Sequence, residues 1–163
     1  MSEPGPTQPC VTVAELMVAP PTALRPDAAL RSAVEALADA HLVALPVTDE
    51  TGRLVGLLDE EDLLVLAEDP HLVEQEAALS RFWPLGGGRR AAEHLRLIHA
   101  RQVSEVMRHH PPVIHPSARC ERAAEVMADH HAGVLAVVDD DGRLVGVLTR
   151  RALLGAWWAG RLC

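Results

Sequence analysis

The chain has 163 residues, of which 48% are hydrophobic and 23% charged, a composition typical of a globular protein with a buried core. Its formal charge is -8 and its fifteen basic residues are all arginine, so Schiff-base chemistry on lysine and a lysine-dependent phosphate loop are excluded. The acidic balance and the lack of an apolar run of transmembrane length predict that it binds neither nucleic acid nor membranes.

The first residues are rich in proline and small polar side chains, which predicts a mobile tail over residues 1–11. This segment has neither the basic start nor the apolar centre of a secretion signal. The three cysteines, Cys10, Cys120 and Cys163, lack CxxC spacing and leave one unpaired in any disulfide scheme. These features favour a reducing compartment, and we expect a cytoplasmic protein.

The chain contains an internal duplication. Residues 12–67 align without a gap on residues 102–157, and about two in five of the aligned positions are identical. The run GRLVG at 52–56 recurs letter for letter at 142–146. The predicted domains are a first repeat at 12–67, a helical linker at 68–101, a second repeat at 102–157 and a C-terminal tail at 158–163.

Both repeats predict the same elements in the same order. The first opens with a helical turn, where Thr12 and Glu15 have the spacing of a capping box. Prolines then hold an extended piece, and an amphipathic helix follows at about 27–40. Its expected apolar stripe is Leu30, Ala33, Val34 and Leu37. Strands at about 43–48 and 53–58, a turn between them, and a helix from about residue 60 complete the unit.

The second repeat predicts a helix at about 117–130, with Cys120, Ala123, Ala124 and Met127 at the apolar positions, and a last helix from about Arg150. The linker has mixed helical character, broken by a triple glycine at 86–88. This glycine run lacks the lysine and hydroxyl residue of a P-loop, so we interpret it as a hairpin tip.

The element order, with the runs LPVTDETGRLVGLLDEEDLL and LAVVDDDGRLVGVLTRRALL, resembles the CBS domain, and the duplication resembles the tandem pair called a Bateman module. The resemblance implies an α+β fold in which two β-α-β-β-α repeats pack about a pseudo-twofold axis, with a helical linker between them. It also implies two clefts, which in the family often bind adenosine-containing molecules such as AMP, ATP or S-adenosylmethionine.

The family's ligand motif, Gly-h-h-Ser/Thr-x-x-Asp, ends the second strand and opens the last helix. Its aspartate accepts hydrogen bonds from the ribose hydroxyls, and its hydroxyl residue and helix N-terminus receive a phosphate. This chain splits the motif between its copies. Asp62 has the ribose position in the first copy, where Asp59 replaces the hydroxyl residue. Thr149 has the hydroxyl position in the second copy, where Ala152 replaces the acid.

The resemblance therefore implies two unequal clefts, each joining one repeat's motif to the other repeat. The first combines Asp62 with Val113, Ile114, Gly133 and Val134, and suits an uncharged nucleoside moiety such as that of S-adenosylmethionine. The second combines Thr149 and Arg150 with Thr22, Ala23, Val43 and Ala44, and suits a phosphate. Purely structural roles stay open: acids favour a helix start, Thr149 can act as an N-cap, and Gly133 can serve packing alone.

These positions predict a regulatory module rather than an enzyme. It would require no cofactor, bind an adenosine-containing ligand and signal to an unidentified protein partner in trans. The resemblance also implies a homodimer. The alternative is a dimerisation or docking scaffold with degenerate clefts, whose aromatic contacts would be Phe82, Trp83, Trp157 and Trp158. The nine histidines lack the spacing of a zinc site, so no metal is expected.

Overall fold

A computed structural model describes residues 11–20, 23–64 and 100–161. Most of the predicted N-terminal tail and of the linker lies outside these ranges, as do the triple glycine, Phe82, Trp83 and Thr22. Within these ranges, each repeat contains the long helix, the pair of strands and at least the start of the last helix that the sequence predicts. The α+β class is confirmed by this mixture of small sheets and helices.

In the first repeat, the strands and the second helix begin within a few residues of the predicted positions. The elements are α1 (Val13–Leu16), α2 (Leu30–Ala40), β1 (Ala44–Thr48), β2 (Leu54–Asp59) and α3 (Glu60–Leu64).

The second repeat begins with a 3-10 turn instead of an α-helix, and two short strands precede its long helix. Its elements are the 3-10 helix Val103–Glu105, β3 (Arg108–His109), β4 (Val113–Ile114), α4 (Cys120–Asp129), β5 (Val134–Val138), β6 (Leu144–Thr149) and α5 (Arg150–Trp158).

The buried stripe of each long helix is narrower than predicted. Leu30, Ala33 and Leu37 are buried in α2, but Val34 is 48% exposed, so its assignment to the core is wrong. Ala124, the residue of α4 that aligns with Val34, is also exposed. Each helix covers one small sheet, and a stripe at i, i+3 and i+7 is wide enough for that contact. The residue at i+4 consequently lies on the flank of the helix.

Two three-stranded sheets form the centre of the molecule. The first sheet includes a strand from the start of the second repeat, and the second sheet is bridged by a residue from the start of the first repeat. The first sheet has the order β1-β2-β3, with both pairs antiparallel. The second has the order β4-β5-β6, in which β4 and β5 are parallel and β5 and β6 antiparallel. Because β3 belongs to the second repeat and Val18 bridges Val147, the two repeats exchange their first segments.

Backbone hydrogen bonds repeat this exchange with twofold symmetry. The Val13 N–H donates to the Ala118 carbonyl at 2.8 Å, and the equivalent Val103 N–H donates to the Ala28 carbonyl at 3.0 Å. Val13 and Val103 are fully buried, each in the core of the opposite repeat. A smaller apolar cluster joins the two sheets and contains Ala44, Leu57, Val134 and Val147. The duplication therefore produces one interlocked unit rather than two independent domains.

The capping box predicted at the start of α1 is confirmed. One carboxylate oxygen of Glu15 accepts hydrogen bonds from the backbone N–H and from the hydroxyl of Thr12, both at 2.8 Å. These bonds, the backbone one foremost, lower the pKa of Glu15. The turn thus fixes the angle at which the exchanged segment enters the other repeat.

The turn between β1 and β2 predicts a dependence of stability on pH. Asp49 Oδ1 accepts hydrogen bonds from the Thr51 hydroxyl at 2.7 Å and from the Thr51 and Arg53 N–H groups at 2.8 and 3.0 Å. The Thr51 hydroxyl is the main cause of a lowered Asp49 pKa. Because the folded pKa is depressed, this contribution to stability is present above the unfolded pKa and is lost as pH falls through the folded pKa.

We expect Asp49→Ala to unfold at lower temperature than the wild type at neutral pH, and the difference to shrink towards zero as the buffer is acidified below the Asp49 pKa. Thermal denaturation followed by circular dichroism over this pH range measures the effect. Asp141→Ala, which removes an exposed carboxylate from the turn of the other repeat, is the comparison. A difference between wild type and Asp49→Ala that stays constant with pH would contradict the assignment.

Candidate functional site

A cavity of about 440 Å³ lies at the start of α5 and has walls from both repeats. The first repeat contributes the exchanged Val18 and the end of α2, and the second contributes the start of β5 and the end of β6. The lining residues are Val18, His41, Leu42, Val43, Gly133, Val134, Thr149, Arg150 and Arg151. The cavity can enclose a ligand only because the two repeats pack against each other.

The polar end of this cavity is the first turn of α5. Thr149 is the N-cap, and its Oγ1 accepts a hydrogen bond from the Ala152 N–H at 3.2 Å. The Thr149 hydroxyl proton is still available for donation to a ligand oxygen, since the cap uses only the oxygen lone pair. The expected capping role and a binding role are therefore compatible in this side chain.

Two arginines give this cavity a positive electrostatic potential. Arg150 donates to the Ala132 carbonyl at 2.9 Å, which holds its guanidinium across the start of the helix. Arg151 is exposed at the cavity rim. His41 lies opposite, in the left-handed conformation with φ 54°. None of the described lining residues is acidic, so the cavity is suited to an anionic group.

Gly133 has a packing role in the same place. A Cβ at this position would lie 2.9 Å from Val43 Cγ2, which is closer than side chains approach each other. Gly133 and Val43 thus meet near the pseudo-twofold axis, and the absence of a side chain keeps the cavity open. This contact supports the structural role that the sequence left open for Gly133.

The other half of the divided motif lies in α3. Asp62 is half-buried, and its Oδ2 is buried without a hydrogen-bond partner among the described residues. Burial raises the pKa of Asp62, as do the nearby charges of Asp59 and Glu61, whereas Arg108 and a hydrogen bond from the Asp59 backbone lower it. A buried carboxylate oxygen with no donor is suited to accept a hydrogen bond from a ligand.

The structure groups the predicted site residues differently from the sequence analysis. Gly133 and Val134, expected beside Asp62, line the cavity of Thr149, Arg150 and Val43. Ala23 is partly buried outside its described lining, and Ala44 is fully buried between the sheets. Ile114 is buried in the core of the second repeat. Val113 lines a separate cavity of about 390 Å³ together with Leu54, Val55, His110 and Pro111.

Four lining residues were not among the assigned site residues: Val18, His41, Leu42 and Arg151. Arg151 follows Arg150 directly, so its charge beside the motif could have been used to assign it to the site. His41 and Leu42 follow the long helix, in the region that the resemblance assigns to the cleft. Val18 carried no signal, because its position depends on the exchange between repeats.

A surface hydrogen-bonded chain of serine, histidine and aspartate was also unexpected. His115 Nδ1 lies 2.7 Å from Ser117 Oγ, and His115 Nε2 lies 3.3 Å from Asp140 Oδ1. The Ser117 N–H also donates to His115 Nδ1, so the imidazole stabilises the turn before α4. Neither of the two cavities described above is lined by these residues, and the contact is best explained by that turn.

Comparison with known proteins identifies the architecture. A family model for the CBS domain matches residues 13–69 and 103–159, which is more than half of the chain. The chain belongs to the CBS domain family. Its two repeats form a CBS pair, as the resemblance in the sequence implied.

Two curated relatives are CBS domain-containing proteins. A protein from Dictyostelium discoideum is 28% identical over 144 residues, which are 88% of this chain and 89% of the relative. The protein CBSX1, described as chloroplastic, from Arabidopsis thaliana is 28% identical over 135 residues, which are 78% of this chain and 55% of the relative. The CBS pair thus spans about half of the plant protein.

A solved structure shares the fold. The crystal structure of Arabidopsis thaliana CBSX2 in complex with AMP matches with a TM-score of 0.67 and 27% identity, over 92% of this chain and 98% of the other. This match confirms the α+β fold of two packed CBS repeats. CBS pairs in general are regulatory modules. In the described ranges, no helix combines the length and apolarity needed to cross a bilayer, and no three potential ligands are grouped to hold a metal ion.

Proposed function

We propose that this CBS pair is a sensor that binds an adenosine-containing ligand with a phosphate, of the AMP class, in the cavity at the start of α5. The observation that carries the proposal is the combination at one end of this cavity of the Thr149 hydroxyl, two arginines and no described acid. A phosphate there would accept hydrogen bonds from the helix N-terminus and the guanidinium groups.

The apolar end of the same cavity suits the base. Leu42, Val43 and Val134 provide aliphatic surface against which an adenine ring can pack. Because Ala152 replaces the ribose acid, the phosphate would supply most of the polar binding energy. CBSX2, at 27% identity and with AMP in its crystal structure, supports a nucleoside monophosphate as the ligand class.

The regulatory output would be a change in the packing of the two repeats. A ligand in a cavity with walls from both repeats stabilises the arrangement that closes it, and so shifts the population towards that arrangement. A partner protein bound in trans would respond to this shift. The proposed location is the cytoplasm, on the unpaired cysteine pattern of the sequence, although the name of CBSX1 places that plant protein in the chloroplast.

The test is thermal denaturation with AMP, ADP, ATP, adenosine and S-adenosylmethionine. AMP at a hundredfold its dissociation constant should add about 2.7 kcal/mol to the free energy of unfolding. Arg151→Gln should weaken AMP binding by about tenfold, since it removes one charge-assisted contact. Adenosine should bind this variant and the wild type equally.

The matched control is Arg31→Gln, which removes the same charge from an exposed position on α2. It should leave AMP binding unchanged. If none of these compounds raises the unfolding temperature, the scaffold alternative is favoured, and the exposed Trp157 and Trp158 become its first candidate contacts. If Arg151→Gln and Arg31→Gln weaken AMP equally, only the net charge of the protein matters and the proposed site is wrong.

A further inference from the structure

The long helix α2 ends on a histidine in the left-handed conformation. His41 has φ 54° and ψ 32°, and the aligned His131 after α4 has φ 52°. Glycine is the residue that takes this conformation at a helix end without strain, so each histidine is retained at some cost to stability. The two histidines differ in their surroundings. His41 lines the cavity at the start of α5, whereas His131 lines a separate groove between α4 and α5.

One hydrogen bond fixes which ring nitrogen of His41 can take up a proton. His41 Nδ1 lies 3.1 Å from the Asp39 carbonyl oxygen. A carbonyl oxygen only accepts, so Nδ1 carries a hydrogen and donates it in both charge states of the ring. The lone pair of the neutral ring is therefore on Nε2, which has no hydrogen-bond partner among the described residues. A proton that His41 takes up binds at Nε2.

The charged groups around His41 come from three helices. Arg150 and Arg151 share its cavity lining, and Asp39 lies in the last turn of α2. The acids at 59–62 open α3, where one backbone N–H donates to a carbonyl of the cavity lining at 2.9 Å. None of these acids is in the described lining, to which the exchanged first segment and β5 add no charged residue. A phosphate in the cavity would bring up to two negative charges beside His41, which favours the protonated ring.

We infer that His41 is a specificity-determining residue of this cavity, through which a phosphate-bearing ligand binds together with one proton. The inference rests on the proposed binding of a phosphate beside Thr149 and Arg150. A proton from solvent binds to the Nε2 lone pair, and the resulting N–H donates a charge-assisted hydrogen bond to a phosphate oxygen. Because the ligand favours the charged ring, its affinity rises as pH falls through the range in which histidine titrates, about pH 8 to 5. A ligand without a phosphate lacks this dependence.

The test compares AMP binding to the wild type and to His41→Asn by isothermal titration calorimetry at about pH 8 and about pH 6. Asparagine tolerates the left-handed conformation and does not titrate, so the variant should fold. The AMP phosphate itself titrates near pH 6, but this contribution is common to both proteins. The two proteins should bind AMP within about twofold of each other at the higher pH. At the lower pH the wild type should bind about fivefold to tenfold more tightly than the variant.

The matched control is His131→Asn, which makes the same change at the aligned left-handed position outside this cavity. It should keep the wild-type ratio of affinities at the two pH values, and adenosine should bind all three proteins without this pH dependence. An affinity ratio for AMP that is the same in the wild type and in His41→Asn would overturn the inference and leave the proposed AMP site in place. An equal loss in both variants would also overturn it. AMP that binds at neither pH would overturn the sensor proposal and this inference with it.

Discussion

Gly146→Ala is expected to lower the free energy of unfolding by about 2 to 3 kcal/mol, the range for overpacking a filled site. A Cβ on Gly146 would lie 2.9 Å from the Val18 carbonyl oxygen and 2.8 Å from Met17 Sδ. The Val18 carbonyl cannot retreat freely, because it accepts the Val147 N–H while the Val18 N–H donates to the Val147 carbonyl, both at 3.0 Å. The substitution therefore strains the exchange between the repeats. Urea denaturation measures the change.

The duplication and α5 provide two matched controls. Gly56→Ala, at the aligned position, should cost less, about 1 kcal/mol, because the close atom is Met107 Sδ at 2.5 Å and the Arg108 carbonyl is 3.2 Å away. The flexible methionine can rotate away. Gly155→Ala on α5, with nothing within 4 Å, should raise stability by about 0.5 to 1 kcal/mol. A Gly146→Ala variant as stable as the wild type would contradict the exchanged pairing.

Local features of the fold were predictable because they depend on neighbouring residues. The capping box at Thr12 follows from a spacing of three residues, and the strand turns follow from polar residues around Gly52 and Gly142, whose φ values are 80° and 75°. The alternation of helices and strands follows from the apolar pattern. Val34 was wrongly assigned to the core because the sequence shows which residues are apolar but not how wide a stripe of the helix surface the sheet covers.

The exchange of first segments was not predictable, and the duplication itself is the reason. Val13 and Val103 are identical and aligned, as are Gly56 and Gly146, so pairing within a repeat and pairing across repeats bring together the same residue types. Periodicity cannot distinguish two partners with the same side chains. The choice depends on the path of the chain between segments, which no local pattern specifies.

The motif residues of the site could be predicted from the sequence, but the residues that line the rest of the cavity could not. Thr149 and Arg150 were found because they occupy fixed positions between β6 and α5, and both line the cavity. Val18 and His41 reach the same cavity from other elements of the first repeat. The assignment of Gly133 to a different cleft had the same origin, since residues beside a pseudo-twofold axis adjoin both halves.

Asp62→Asn is expected to raise stability at neutral pH and to weaken the binding of adenosine. Asp62 Oδ2 is buried without a described donor, and burial raises the Asp62 pKa. Because the folded pKa is raised, the folded state is favoured most below the unfolded pKa and is destabilised as pH rises through the folded pKa. Removing the charge should add about 1 kcal/mol at neutral pH, and this gain should vanish in acid. Thermal denaturation from acid to neutral pH measures it.

Adenosine is the appropriate probe for Asp62, because the acids at 59–62 would repel a phosphate and the ribose hydroxyls would donate to the carboxylate. Asp59→Asn is the matched control: it removes a neighbouring charge but keeps a side-chain oxygen able to accept the Glu61 N–H, a bond of 3.1 Å in the native protein. It should leave adenosine binding intact. A stability gain without loss of adenosine binding would assign Asp62 to electrostatic strain alone, and the cavity at Thr149 would then be the site of all nucleoside recognition. A gain in stability together with a loss of adenosine binding would mean that a carboxylate which destabilises the fold is retained for its ligand.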